Sequence, residues 1–179
     1  MVNRTYYAII DAFNRLIAEK GFSKITVEMI MEKAGVSRST FYRYFRDKYD
    51  VMNANFKNLL DYYIDPSRSS NYKELCFHIF EYGQNNLAIF KNALSSTGFN
   101  SFDNFIREYS YQKILEITNA NRDGAGFTPT EELRVYIFCN GISTVYKSIV
   151  DQRCKTTASE AAEALYEMMP ESLKNYWWK

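Results

Sequence analysis

The stretch AGVSRSTFYRYFRDK, Ala34 to Lys48, decides how the rest of the chain is read. Ser37 is a good helix N-cap, because its hydroxyl can bond the free N–H groups of a first turn. Val36 just before it and Phe41 at the fourth helical position form a hydrophobic staple, which fixes the angle of entry into the helix. Gly35 supplies the positive φ that a tight helix-to-helix turn needs, and Ala34 is small enough for two helices to approach. With the staple inward, Phe41, Tyr44 and Phe45 share one face by their i, i+3 and i+4 spacing. Arg38, Ser39, Tyr42, Arg43 and Arg46 lie on the other. One greasy face opposite a cationic and hydroxylic face suits a DNA groove. A solvated basic face is the plainer alternative, and the preceding turn argues against it.

Outward from this stretch, the first helix is marked by Tyr6, Ile9, Ile10, Phe13, Leu16 and Ile17 within residues 3–20. Gly21 ends it. A second helix begins at Thr26, a plausible N-cap, buries Val27, Ile30 and Met31, and stops at Gly35. Three helices, the last two short and tightly joined, make a helix-turn-helix. Asp47 can cap a fourth helix, with Asp50 at its third position, running to about Ile64.

Composition agrees with an all-α chain. Only three of the 179 residues are proline and seven are glycine. At 46% hydrophobic, the chain can bury a substantial core. No run approaches the roughly eighteen apolar residues of a membrane helix, and no signal peptide is visible, so a cytoplasmic protein without a membrane partner is expected. Cys76, Cys139 and Cys154 are an odd count without metal-type spacing, and read as reduced thiols. Net charge is +1, but residues 1–50 carry +3 and residues 51–179 carry −2. The excess sits in 37–48, the expected electrostatic footprint of a nucleic-acid surface. One histidine, no glycine-rich phosphate loop, no metal spacing and no nucleophile motif argue against an enzyme, and no cofactor or metal is expected.

The stretch Ile25 to Met52, ITVEMIMEKAGVSRSTFYRYFRDKYDVM, resembles the N-terminal signature of the TetR-type transcriptional regulators. The resemblance rests on Gly21-Phe22, Thr26, Ile30, Ala34-Gly35-Val36-Ser37, Thr40-Phe41-Tyr42, Tyr44-Phe45, Lys48 and Val51, over roughly the first 50 residues. One departure is Met31, where the family usually has alanine. The resemblance implies that Thr26, Tyr42 and Lys48 touch phosphates, that Ser37 caps the recognition helix, and that Arg38, Ser39 and Thr40 approach bases or adjacent phosphates. Face analysis places Arg38 and Tyr42 outward independently, adds Arg43 and Arg46, and puts Thr40 near the staple side.

The expected organisation is a helix-turn-helix domain over 1–47 and a helical sensing and dimerisation domain over 48–179, about nine helices in all. Residues 65–70 form a loop, and Gly83 is expected to interrupt the helix that starts at Tyr72. Ser95 to Gly98 breaks the chain again, and a polar loop carries Gly124 and Gly126. Thr128, Pro129 and Glu131 open a long helix with a capping box, and a last helix runs from about Thr157 until Pro170 ends or bends it.

In the long helix, mid-helix Gly141 costs about 1 kcal/mol against alanine, which close approach of another helix would compensate. Leu133, Ile137, Gly141, Thr144 and Ser148 form a stripe of mostly shrinking side chains. Ala158, Ala161, Ala162 and Leu165 offer a matching face. The resemblance implies that these two helices pair with a second copy as a four-helix bundle, although a contact within one chain remains the alternative. A twofold dimer would place two recognition helices about 34 Å apart or a multiple of it.

Residues 70–150 are rich in aromatic side chains, most of them core. The resemblance implies an effector pocket here, and His78, Tyr82, Phe90, Phe105, Tyr109 and Tyr136 are its candidate lining, suited to a planar or lipophilic small molecule. His78 reads equally well as an ordinary core or surface histidine. Trp177 and Trp178 read as packing on the C-terminal helices or as a weak membrane-interface signal. The functional expectation is a homodimeric, sequence-specific regulator bound to a double-stranded DNA operator, a repressor released by a small-molecule effector. The alternative is an adaptor or coactivator of the same fold, whose C-terminal domain binds a partner protein.

Overall fold

The computed structural model describes residues 3–94, 101–122 and 126–174. The expected break at Ser95 to Gly98, Gly124 of the polar loop, and the Trp177-Trp178 pair lie outside the described residues. The described chain is all helix: α1 (Arg4–Lys20), α2 (Val27–Ala34), α3 (Arg38–Tyr44), α4 (Lys48–Ile64), α5 (Tyr72–Asn85), α6 (Leu87–Leu94), α7 (Phe102–Ala120), α8 (Pro129–Val150), α9 (Ala158–Met168) and α10 (Glu171–Lys174), with a 3₁₀ turn at Phe22–Lys24. The tenth helix is the difference from the expected nine. It forms because Pro170 stops α9 yet suits the start of a new turn, where its missing N–H is not needed. Its carbonyl then accepts from Leu173 N–H at 2.8 Å.

The chain makes two compact units. The first comprises Met1–Asn58 and Ala88–Phe102. Its core is Ile9, Phe13, Phe22, Ile25, Ile30, Phe41 and Val51, each at most 3% exposed. An aromatic cluster extends this core into α6: Phe56 meets Phe102 edge-on at 5.1 Å and Phe90 at 6.0 Å. Phe90, a candidate pocket residue from the sequence, is buried in this cluster.

The second unit comprises Leu59–Leu87 and Asp103–Lys179. Gly83 does not interrupt α5, which continues to Asn85. A Cβ on Gly83 would lie 2.7 Å from Tyr146 Oη and 3.0 Å from two ring carbons, so the glycine serves a close approach between α5 and α8. Helix α9 packs mainly on α5. Ala158, Ala161, Ala162 and Leu165 are all buried there. The alanine face expected to meet a second copy is therefore buried within the chain, where its small side chains allow α9 to lie close to α5 and Lys73 pairs with Glu163. Both capping boxes are formed, at Thr128 with Glu131 and at Thr157 with Glu160.

Candidate nucleic-acid interface

The turn into α3 is built as its residues dictate. Gly35 adopts φ 66° and ψ 35°, the left-handed conformation, and closes α2. Gly35 N–H donates to Glu32 O at 3.2 Å and Val36 N–H to Met31 O at 3.0 Å, the two bonds of a Schellman motif. Thr26 caps the other end of α2 by accepting from Met29 N–H at 3.3 Å.

Ser37 Oγ accepts from Thr40 N–H at 3.1 Å and sits 3.0 Å from Ser39 Oγ and 2.9 Å from Thr40 Oγ1. Three hydroxyls thus gather at the start of α3. Thr40 is half-buried, in keeping with its place near the staple side. Phe41 and Phe45 are buried, and Tyr6 of α1 stacks on Phe45 at 5.2 Å. Anchored on that side, α3 exposes Arg38, Ser39, Tyr42 and Arg43, with Arg46 exposed just beyond its end. Tyr42 is 46% exposed although aromatic. Arg38 lies over the Tyr42 ring, and Arg43 over Tyr44, each at 5.3 Å. A hydrogen bond from its own backbone N–H, then one from the Thr26 hydroxyl, holds Glu28 below the ordinary carboxylate range, with the Arg38 charge adding to this.

Lys48 is placed differently from a free phosphate contact. Its ammonium donates to Ile25 O at 2.9 Å and Phe22 O at 3.1 Å, and lies 4.6 Å from the Phe22 ring centroid. Two of its three N–H groups hold the turn before α2 against the start of α4. Burial pulls its pKa down. Asp47 caps α4 by accepting from Asp50 N–H at 2.8 Å, and Asp50 reaches back to Arg46 N–H at 3.0 Å. The side-chain amides of Asn14 and Asn55 exchange hydrogen bonds at 3.1 and 3.0 Å, tying α1 to α4. Sequence reading missed this pair; its only signal is a polar residue on an otherwise apolar face of each helix.

The candidate pocket residues do not gather at one site. His78 stacks on Tyr63 at 4.5 Å, with Nε2 4.0 Å from Glu74 Oε1. Tyr109 stacks on Phe105 at 5.4 Å and donates its hydroxyl to Asp61. Tyr82 is half-buried. Tyr136 is exposed on α8 and meets Tyr111 edge-on at 6.1 Å. On the same helix Leu133 and Ile137 are 57% and 61% exposed, and Gly141 has open space where a side chain would stand. Thr144 is exposed and Ser148 half-buried, their hydroxyls turned back to Asn140 O and Thr144 O at 2.9 Å. Among the described residues no group of three or more His, Cys, Asp or Glu is placed to hold a metal ion. No described helix is long and apolar enough to cross a membrane.

A capped turn feeding a short helix with a buried aromatic face and an exposed cationic one defines a helix-turn-helix module. Residues 9–54 match the family model described as bacterial regulatory proteins, tetR family. Residues 70–171, more than half of the chain, match a second described as transcriptional regulator C-terminal region. The chain belongs to the TetR family of transcriptional regulators. It is 38% identical over 60 residues to the fatty acid metabolism regulator protein of Bacillus subtilis (strain 168), a stretch covering 34% of this chain and 31% of that protein. The chain thus spans about a third of the length of the first curated relatives it matches. Among solved structures, a TetR transcriptional regulator from Streptococcus agalactiae 2603V superposes with TM-score 0.54 at 25% identity, over 92% of both chains. The dihydroxyacetone kinase operon activator DhaS superposes with TM-score 0.63 at 15% identity, over 96% of this chain and 97% of that one, a likeness of fold.

Proposed function

We propose that this chain is a cytoplasmic, homodimeric regulator that binds a double-stranded DNA operator sequence-specifically and releases it on binding a small-molecule effector, acting as a repressor. The observation that carries the reading is the outward face of α3: Arg38, Ser39, Tyr42 and Arg43 exposed on a helix fixed by the Ser37 cap and the buried Phe41 and Phe45. Thr26 and Tyr42 serve as phosphate contacts, with Arg43 beside them. Ser37 and Thr40 hold the helix start, while Ser39 and Arg38 face the bases. Lys48 acts chiefly by positioning.

The dimer reading is supported by the exposed apolar stripe of α8 from Leu133 through Ile137 to Gly141. The alanine face of α9 drops out of it. The effector reading rests on membership of the family and on the aromatic and polar groups of the second unit, among them Tyr63, His78 and Tyr109. Effector release is then a population shift toward a dimer whose recognition helices are wrongly spaced. The same exposed α8 stripe favours a second reading, in which a partner protein docks on α8 and the chain works as an adaptor or coactivator.

The test is genome-wide mapping of bound DNA, followed by titration of purified protein on the mapped fragments. The proposal expects dissociation constants of about 10⁻⁸–10⁻¹¹ M, at least about 10³-fold tighter than on bulk DNA. Binding no tighter than to bulk DNA at every fragment refutes it. A stoichiometric protein partner, with no small molecule altering DNA affinity, selects the adaptor reading.

A further inference from the structure

We propose that Arg38 reads a guanine in each operator half-site and that Tyr42 holds the guanidinium in place to do so. The inference rests on the DNA-binding reading above and adds which base is read and by what. Arg38 is the first residue of α3, and the N-terminal residues of a recognition helix are those that reach base edges in the major groove.

The neighbouring groups at that end are already engaged. The hydroxyls of Ser39 and Thr40 each lie within 3.0 Å of the Ser37 hydroxyl at the cap, and Ser37 also serves Thr40 N–H. Arg43, at the other end of α3, is drawn over Tyr44, whose ring packs edge-on against Tyr6 at 6.5 Å. Glu28 is near enough for its carboxylate to feel the Arg38 charge, but makes no ion pair with it among the described residues. Arg38 is thus the exposed side chain at this end with its donors uncommitted.

Its contact with Tyr42 bears on the chemistry. The guanidinium carbon lies over the Tyr42 ring, 5.3 Å from its centroid, within cation–π range. A cation–π contact draws the charge to the ring and leaves N–H groups of the fork free to donate elsewhere. That forked edge matches the O6 and N7 acceptors of guanine, the commonest specific contact in the major groove. The cation–π contact also favours one arrangement of the long side chain before DNA arrives, which lowers the ordering cost on binding. Tyr42 is therefore a positioning residue for base reading as well as a phosphate contact.

The experiment uses the DNA that the full chain selects from a random library, remade with 7-deazaguanine at each guanine in turn. This base pairs normally but lacks the N7 acceptor. The expected result is one guanine per half-site whose replacement weakens wild-type binding about 10-fold or more and leaves Arg38→Ala binding unchanged. Far-ultraviolet circular dichroism and low-salt affinity for bulk DNA check that each variant folds. The guanine-to-7-deazaguanine ratio persists in Tyr42→Phe, which keeps the ring, and falls at least threefold in Tyr42→Leu. Because the ratio is taken within one variant, a lost phosphate contact cancels. Wild-type indifference to every replacement, or equal sensitivity in Arg38→Ala, overturns the base assignment. A full ratio in Tyr42→Leu overturns the role of Tyr42. Failure to select any motif instead overturns the DNA-binding reading itself.

Discussion

Replacing Lys48 by methionine separates two roles for this side chain. The change keeps most of the alkyl stem and its packing on Phe22 and removes the ammonium. Two charged N–H groups lose their bonds to Phe22 O and Ile25 O, at 3.1 and 2.9 Å. Hydrogen bonds to charged groups contribute about 1.5–3 kcal/mol each. The lowered pKa of Lys48 shows that burying the charge offsets part of this. A net loss of about 2 kcal/mol is expected, which at a slope of about 2 kcal/mol per molar lowers the urea midpoint by about 1 M. Wild type and variant are compared at one protomer concentration, since association shifts apparent stability. The salt dependence of operator binding is measured on the same preparations. Loss of one phosphate contact lowers the slope of log affinity against log salt by about one; positioning predicts a change under about half of that. An unchanged midpoint with a slope lower by one would refute the positioning role and restore the phosphate contact.

Four further outcomes follow from the geometry. Gly83→Ala gains about 1 kcal/mol of helix propensity but drives a Cβ to 2.7 Å from Tyr146 Oη, an overpacking cost of about 1–3 kcal/mol. A thermal scan should therefore show a lower midpoint, partly recovered by adding Tyr146→Phe, and a raised midpoint for the single variant would contradict the packing. Ile137→Asp, at an exposed site, should leave the stability of the isolated protomer within about 0.5 kcal/mol while sedimentation shows monomers; persistence of the dimer removes α8 from the interface. Bonds from Thr128 N–H and its hydroxyl hold Glu131 below its ordinary 4.5, and the same groups of Thr157 hold Glu160 down. A depressed folded pKa means that this stability is present above the unfolded value and disappears as pH falls through the folded one. Glu131→Gln with Glu160→Gln should accordingly flatten the urea midpoint between about pH 5 and 3, and an unaltered acid slope would count against both boxes. Burial pushes the Cys76 and Cys139 thiols up to about 12, whereas Cys154 is exposed. Native protein should alkylate rapidly at one of its three cysteines by mass spectrometry, and rapid modification of Cys76 or Cys139 would show that the core opens.

What is legible in the sequence is local. The Ser37 cap, the Gly35 turn and the Asp47 cap each act over three to five residues, so the bounds of α2, α3 and the start of α4 follow from neighbouring residue types alone. The outward face of α3 follows from helical spacing once the staple is fixed. Features that depend on distant partners are not legible. Gly83 reads as a helix breaker until Tyr146, 63 residues later, is seen to fill the space it leaves. The alanine face of α9 fits a second copy as well as it fits α5, because small side chains specify close approach but not the partner. Phe90 belongs to an aromatic cluster with Phe56 and Phe102, which spacing along the chain does not reveal. Lys48 reads as a surface cation because its acceptors are backbone carbonyls 23 and 26 residues earlier, which carry no side-chain signal.

In the proposed dimer, two copies of α3 read one operator. The most direct measurement is the DNA that the full chain selects from a random library, together with the number of protomers bound per selected duplex. An inverted repeat is expected whose half-sites lie about 10 base pairs apart, centre to centre, or a multiple of that, with protomers bound in pairs. A lone half-site carrying a single protomer, or no enriched motif at all, would contradict it.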